Sequence, residues 1–297
     1  MVESSEVVRR QSFEVEGVVE VDVAILSGRV RVHLVDEPGV HVEVRHQESS
    51  GESWTAGLTS LLSWVNDQFG AGQGQPAGPA EAVRDARLEL TGQRLRVQSS
   101  KSLPLRAVPL DVTVRAPSGS HVLAKAGAAD VTVTGTAGRL EIRTGTGDVT
   151  ADRADAPSHV HSGSGKVRLG PMLGGLRAKT GSGDVEVSSV GGNTVVYTGT
   201  GDVWLGAVQH DVQVRTGSGD VTVADAAAGR LQLGTGSGDL RVGVRPGVAA
   251  RIDLASTGGT ARSELDVSDT PPEGGEAPLS VTGRTGSGHA LVTASSS

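Results

Sequence analysis

A single spacing dominates this chain of 297 residues. Six glycines, Gly127, Gly145, Gly163, Gly181, Gly199 and Gly217, follow one another every 18 residues, and Gly236 comes 19 residues after the last. Around them the sequence reads TGTGDV at 144–149 and 198–203, TGSGDV at 180–185 and 216–221, and TGSGDL at 235–240. A fixed period of this length is typical of a repeat protein, in which each unit packs only against its neighbours.

Each repeat holds two short stretches in which apolar and polar residues alternate. Counted from the first glycine, the fifth position is apolar in every repeat (Val131, Val149, Val167, Val185, Val203, Val221, Leu240), and the seventh and sixteenth are apolar as well. Alternation with a period of two in β-branched residues indicates strands with one buried face. Two strands and two corners fill the repeat.

These patterns predict an all-β fold, a single-stranded β-solenoid (β-helix) with 18-residue coils and one short helical insertion. Stacked coils bury one continuous narrow core, and each coil lies about 4.8 Å above the last. We expect one domain over 1–297. Its parts are irregular N-terminal coils at 13–46 and 86–126, regular coils at 127–242, irregular C-terminal coils at 243–297, and an insertion at 47–85.

The insertion combines a helix and a flexible linker. Its apolar residues have helical spacing, and they are Trp54, Leu58, Leu61, Leu62, Val65 and Phe69. The stretch GAGQGQPAGPA at 70–80 has linker composition. The polar face of the 54–69 helix carries no Lys or Arg, which disfavours anionic lipid. We expect the helix either to cover an open end or side of the solenoid or to bind a protein partner.

Composition excludes several classes of protein. The net charge of −7 argues against general nucleic-acid binding, and the absence of cysteine excludes disulfides and thiolate metal sites. The opening MVESSEVVRRQSFEVEG lacks the apolar core of a signal peptide, and no run of about 18 apolar residues predicts a membrane helix. We therefore expect a cytoplasmic protein with no integral membrane segment.

The string TGSGDV resembles two kinds of ligand loop. A phosphate cradle needs a glycine-rich loop that opens a helix, whereas each loop here opens a strand. Calcium β-rolls repeat G-G-x-G-x-D in nonapeptides, and 18 residues is two of these. Here, however, the residue between Gly and Asp is missing, and Lys166 stands at one carboxylate position. Calcium is the less favoured interpretation, and we expect no cofactor.

A structural role accounts better for the string. Glycines permit positive φ and a close backbone approach at a tight corner, stacked Thr hydroxyls can bond the backbone, and Asp can accept local amide bonds. The predicted corner ladder consists of Gly145, Asp148, Gly181, Asp184, Gly199, Asp202, Gly217, Asp220, Gly236 and Asp239. A straight row of carboxylates has no cleft and no unlike environments, so it predicts no catalytic site.

Outward positions offer better candidates for binding. His159 and His161 share one side of a strand, but the aligned neighbours Glu141, Arg143, Arg177 and Lys179 make a poor zinc shell. We define the basic stripe as Arg143, His161, Lys179, Tyr197 and Arg215, one per coil, with Arg177 beside them. It is either a solvated face or a docking surface for an acidic partner or glycan. Trp204 points outward from the other strand and is a further candidate contact.

The repeated T-G-x-G-D-V, the lead-in LDVTVRAPSGS at 110–120 and the tail GVRPGVAARIDLASTGGTARSELDV at 243–267 resemble a bacterial family. Its members are domains of unknown function labelled adhesin-like or β-strand-repeat proteins, and the chain is similar to their cytoplasmic actinobacterial type. The resemblance covers about 13–46 and 86–295. It implies a single-stranded β-solenoid and brings no established catalytic residues.

Together these observations predict a protein without enzyme activity, a scaffold or protein-binding module that has a protein partner or associates with itself. A surface adhesin or envelope-stress component is the alternative. A glycan-active β-helix enzyme and a calcium-binding β-roll are the remaining interpretations.

Overall fold

The structure is a computed structural model that describes residues 7–46, 78–266 and 277–295. Within them lie 23 strands, one α-helix, α1 (Pro79–Asp85), and a 3-10 turn at Leu105–Ala107. The helix predicted at 54–69 lies outside the described residues, whereas α1 lies at the end of the 47–85 segment. None of the helical segments described is long and apolar enough to cross a membrane.

The strands form two ladders, and each regular coil gives one strand to each ladder. The chain enters through seven strands: β1 (Val8–Phe13), β2 (Glu20–Val35), β3 (Val40–His46), β4 (Arg87–Thr91), β5 (Arg94–Gln98), β6 (Leu110–Pro117) and β7 (His121–Ala137). The long strands β2 and β7 pair in parallel and bend through the corner, so that each belongs to both ladders.

The regular array follows β7. Ladder A stacks β8 (Leu140–Thr146), β10 (Ser158–Ser164), β12 (Leu176–Thr180), β14 (Thr194–Thr198), β16 (Val212–Thr216) and β18 (Gly229–Thr235). Ladder B stacks β9 (Val149–Ala154), β11 (Val167–Met172), β13 (Val185–Val190), β15 (Val203–Val208), β17 (Val221–Ala226) and β19 (Leu240–Val244). All neighbours in this array are parallel.

The register confirms the predicted β-solenoid. Val149, Val167, Val185, Val203 and Val221 align one above the other. Their side chains are at most 1 % exposed, and the seventh and sixteenth positions of the repeat are buried in the same way. The core is thus a single apolar column between the two ladders, built almost entirely from Val, Leu, Ile and Ala.

The C-terminal coils are not stacked in chain order. The chain continues through β20 (Ala250–Ser256), β21 (Ala261–Ser263), β22 (Leu279–Thr285) and β23 (Ala290–Ala294). Strand β22 pairs with both β18 and β20, and β23 pairs with both β19 and β21. The last coil in sequence therefore occupies the penultimate level, and the coil before it forms the end of the stack.

The N-terminal end is built from reversed strands and a helix. Strand β6 lies between β2 and β3, and β1, β3 and β4 run antiparallel to their neighbours. Helix α1 packs on this end, where Ala82, Val83 and Ala86 are at most 2 % exposed. The Arg9 side chain donates hydrogen bonds to the carbonyl oxygens of Arg84 and Ala86, which ties the helix to β1.

Candidate functional site

The corner at TGxGDV is held first by its threonine. Thr216 is 7 % exposed, and its hydroxyl donates to the carbonyl oxygen of Gly201 in the coil below (3.2 Å). The Oγ1 atom of Thr216 also accepts the N–H of Gly219 (3.1 Å). Because Thr198, Thr235 and Thr285 repeat both bonds, a column of buried hydroxyls satisfies backbone groups that would otherwise be unpaired at the corner.

The aspartates bond between coils rather than within one. Asp202 Oδ1 accepts the backbone N–H of Asp220 (2.8 Å), the aligned residue 18 positions later. Asp130, Asp148, Asp184, Asp220 and Asp239 do the same for the aligned residue of the next coil. The expectation of local bonds was therefore wrong: the aligned amide of the next coil lies within reach of each carboxylate. Asp130 belongs to this row although its string, AGAADV, lacks the motif.

The glycines permit close packing, but at the first position not through positive φ. None of the seven first glycines of the strings has positive φ. A Cβ on Gly199 would lie 2.4 Å from the carbonyl oxygen of Gly181, so a side chain there would clash with the coil below. Among the second glycines of the strings, Gly147 and Gly165 do have positive φ, +129° and +122°.

The chemistry open to this corner is limited, because its polar groups bond to one another. Each carboxylate of the row holds an amide, and Lys166 Nζ lies 3.2 Å from Asp184 Oδ2. In the described ranges no group of three or more His, Asp or Glu residues is arranged to hold a metal ion. The pair His159 and His161 therefore belongs to no such group. The corner amides that a phosphate would need are already donated to protein oxygens.

The basic stripe lies on the outer surface of ladder A. Arg143, His161, Lys179, Tyr197 and Arg215 stand in register on five successive strands, and Arg177 is in the adjacent row. The stripe is longer than the sequence suggested, because Lys125 precedes Arg143 in register. Arg284 also joins it, two levels beyond Arg215. Only the strand order at the C-terminal end brings Arg284 there, so the 18-residue spacing could not reveal it.

The stripe is electropositive in an acidic protein. Arg143 pairs with Glu141 (2.9 Å), and Arg284 pairs with Asp253 (2.7 Å). Over the described ranges no acidic side chain pairs with Lys125, Arg177, Lys179 or Arg215. The carboxylates of the corner lie elsewhere, directly before the strands of ladder B. Several carboxylates of that row pair with cations of their own, namely Lys166, Arg168 and Arg241.

A surface hollow of about 440 Å³ interrupts the stripe between Arg215 and Arg284. Gly234 forms its floor, and Gln232 and Thr282 lie beside it. A Cβ on Gly234 would meet no atom closer than 4.0 Å, unlike the corner glycines. The backbone does not require glycine at this position, and the missing side chain opens the surface.

Trp204 lies on the outer surface of ladder B, away from the basic stripe. Its side chain is aligned with Glu186 and Thr222, and the residue is 40 % exposed. A Cβ on Gly206 would be 3.1 Å from the indole ring, so the ring lies over that glycine. The structure thus places Trp204 and Tyr197 on opposite ladders. The six apolar residues proposed at 54–69 lie outside the described residues.

One ion pair lies next to the C-terminal coil, at the corner where β17 and β19 end. Arg245 donates hydrogen bonds to both carboxylate oxygens of Asp225, and Ser295 donates a further one (3.2 Å). The hydrogen bond from Arg245 holds the pKa of Asp225 below its usual value, although partial burial acts in the opposite direction. The same bond raises the pKa of Arg245. This contact ties the end of β23 to β17.

Comparison with solved structures finds matches at very low identity. A candidate adhesin from Bacteroides fragilis is 11 % identical with a TM-score of 0.48, and the alignment covers 96 % of each chain. A candidate lipid-binding protein from Parabacteroides distasonis is 9 % identical with a TM-score of 0.37, again over 96 % of each chain.

Sequence comparison gives a firmer assignment. No curated protein matches the chain. The model of one family, described as Toastrack DUF4097, matches residues 110–297. That segment includes all the regular coils and the exchanged C-terminal coils, and it makes up more than half of the chain. The protein therefore belongs to the Toastrack DUF4097 family.

Proposed function

We propose that this protein is a non-catalytic interaction module that binds an acidic protein partner along the basic stripe. The observation that supports this best is the charge of the stripe. In a chain of net charge −7, Lys125, Arg177, Lys179 and Arg215 project from one flat face, and no acidic side chain of the described ranges pairs with them. Exposed charge of one sign attracts a partner of the opposite sign and speeds its association.

The scaffold suits such a role because it fixes the spacing of the charges. Successive cations lie on strands about 4.8 Å apart, and the parallel ladder holds the backbone beneath them. A partner that presents carboxylates along an extended segment could contact several cations at once. Tyr197 is half-buried in the middle of the stripe, and its hydroxyl donates to Gln213 (3.4 Å), so the ring offers a fixed apolar surface beside the charges.

The non-catalytic part of the proposal rests on the corner. Its carboxylates have like environments, each bonded to the amide of the next coil, so no two of them differ as a general acid and base must. Activity on a panel of glycans that disappears in Asp184→Ala or Asp202→Ala would contradict this part.

A charge reversal tests the stripe. We expect the double variant Lys179→Glu and Arg215→Glu to lose binding to an immobilised poly-glutamate peptide and to partners captured from the native cytoplasm. The matched control is Arg115→Glu, an exposed cation on the outer surface of ladder B. Binding by the wild type should weaken with added salt. Equal binding by the double variant and the control would refute the stripe as the docking surface, and preference for a polyuronate over the peptide would make the partner a glycan.

The proposal includes a cytoplasmic location, and a surface adhesin or envelope-stress component is the alternative. Cell fractionation separates them: protein found mainly outside the cell would contradict the scaffold role. The segment at 54–69 is a second candidate contact. Deletion of residues 50–70 should abolish capture of a partner that binds there, and it should leave binding of poly-glutamate by the stripe unchanged.

A further inference from the structure

The two ends of the solenoid differ in how they are covered. At the N-terminal end, α1 packs against β1 and β3, and its residues Ala82 and Val83 are buried. At the C-terminal end, β20 pairs with β22 along one edge, and within the described ranges no strand pairs with its other edge. One end therefore presents a helix, and the other presents a row of backbone N–H and C=O groups.

The core is also incompletely covered at β20. Ala250, Ile252 and Leu254 point inward and are only partly buried, whereas the aligned Leu279 and Val281 on β22 are 0 % exposed. The strand has no proline or lysine, which commonly protect a free edge, and its two charged residues, Arg251 and Asp253, have opposite signs. An edge of this kind is a template for another strand.

The sequence of β20 is complementary to itself. We propose that a second copy of this chain pairs with β20 in antiparallel fashion across a twofold axis at Ile252. Arg251 of each copy then lies opposite Asp253 of the other, on the outer surface. On the inner side Ile252 meets its own copy and Ala250 meets Leu254, so the apolar core continues through the contact.

The charges select this register. If the axis passed through Arg251 or Asp253, each of these would face its own copy, and two like charges would lie opposite one another. If the axis passed between two residues, inward side chains would lie against outward ones. Within the described residues Arg251 has no ion pair, and Asp253 contacts Arg284 alone, so both groups can accept the new contact.

The contact predicts a closed dimer rather than a filament. The symmetric pairing uses the C-terminal end of both copies, and the free ends of the dimer are then the N-terminal ends. There α1 covers the core, and Arg87 and Glu89, the outward charges of the edge strand β4, already pair with each other (2.8 Å). Head-to-tail addition would have to displace the helix.

Sedimentation velocity of the full chain over a range of concentrations tests the proposal. We expect the wild type to be a dimer of a 30.2 kDa chain. Arg251→Asp and Asp253→Arg should each raise the dimer Kd roughly tenfold or more, because like charges then face each other. The double variant Arg251→Asp with Asp253→Arg should restore the dimer, since the two charges are exchanged.

Two further variants keep the result interpretable. Arg230→Asp reverses a charge on the inner strand β18 and should leave the dimer intact. Asp253→Arg also loses the Asp253–Arg284 contact, which by itself could destabilise the protein. Ile252→Lys keeps that contact. It should sediment as a monomer and show a folded circular dichroism spectrum. A wild type that stays monomeric, or oligomers that grow beyond two, would overturn the proposal. A double variant that fails to dimerise while Arg230→Asp dimerises would overturn the register. Binding of poly-glutamate at the stripe is a separate readout and should be unchanged in Ile252→Lys, which keeps the stripe and the Asp253–Arg284 pair intact.

Discussion

The buried hydroxyl of Thr216 gives the sharpest test of what holds the coils together. Thr216→Val keeps the size and shape of the side chain but removes the oxygen that accepts the Gly219 N–H and donates to the Gly201 carbonyl. Thr216→Ser keeps that oxygen and removes only a methyl group. A serine is already present at the aligned position of another coil, where the Ser162 hydroxyl donates to the carbonyl of Ser164 in its own coil (3.1 Å).

The magnitudes follow from the contacts. Loss of a partner for a buried N–H costs about 1–3 kcal/mol, and loss of the bond to the carbonyl adds to this, while the extra methyl of valine offsets part of it. We expect Thr216→Val to lower the free energy of unfolding by about 2 kcal/mol. Thr216→Ser removes one buried methyl group, which costs about 0.8 kcal/mol. The hydroxyl therefore reverses the order expected from hydrophobicity alone.

Urea unfolding followed by far-ultraviolet circular dichroism measures the difference. The comparison is valid if the three proteins share the same dependence of free energy on urea, because a changed slope would mean a changed unfolded or native state. A valine variant as stable as the serine variant, or more stable, would show that the hydroxyl column contributes nothing and that burial alone holds the corner.

Three further outcomes test other contacts. Gly199→Ala should lower the free energy of unfolding by about 1–3 kcal/mol, because its Cβ would lie 2.4 Å from a carbonyl oxygen. Gly234→Ala should be neutral or slightly stabilising. Equal losses of stability in thermal melting would refute this difference. Asp202→Ala should cost about 1 kcal/mol by leaving the next coil's amide unpaired, and Asp202→Asn, which keeps an acceptor, should cost less; equal urea midpoints would contradict the intercoil bond. Because Arg245 lowers the pKa of Asp225, this contact should stabilise the C-terminal coil above the ordinary aspartate pKa of about 3.9 and be lost on acidification below it. The protection of the last strand against hydrogen exchange, corrected for the intrinsic pH dependence of exchange, should therefore fall below about pH 4 in the wild type and already be reduced at neutral pH in Arg245→Ala.

The sequence predicted the regular part of the fold because its period determines the pairing. Once Val149 and Val167 occupy the same point on successive coils, the register of every neighbouring strand follows. The same spacing placed Arg143 and Arg215 on one face. Period alone could not give the bonding partner of Asp202, because a local amide and the amide 18 residues later both lie near a corner carboxylate.

The ends could not be predicted for a different reason. Outside 127–242 the repeat is too irregular to fix a register, so the position of β22 between β18 and β20 depends on which edges compete for it in three dimensions. Arg284 entered the stripe through that exchange. The hollow at Gly234 could not be predicted either, because a glycine that the backbone requires and one that it does not require look the same in a sequence rich in glycine.

The exchanged order of the last two coils has a consequence for biosynthesis. The ribosome makes β20 and β21 before β22 and β23, yet the later pair occupies the level between the earlier pair and the rest of the rod. Growth of the rod by simple addition therefore stops at β18 and β19 during translation. The coil that ends the rod must wait, or bind first in the wrong place and then leave, until the following segment has emerged. Completion of the rod therefore requires β22 and β23 to pair with β18 and β19 after β20 and β21 have already been made.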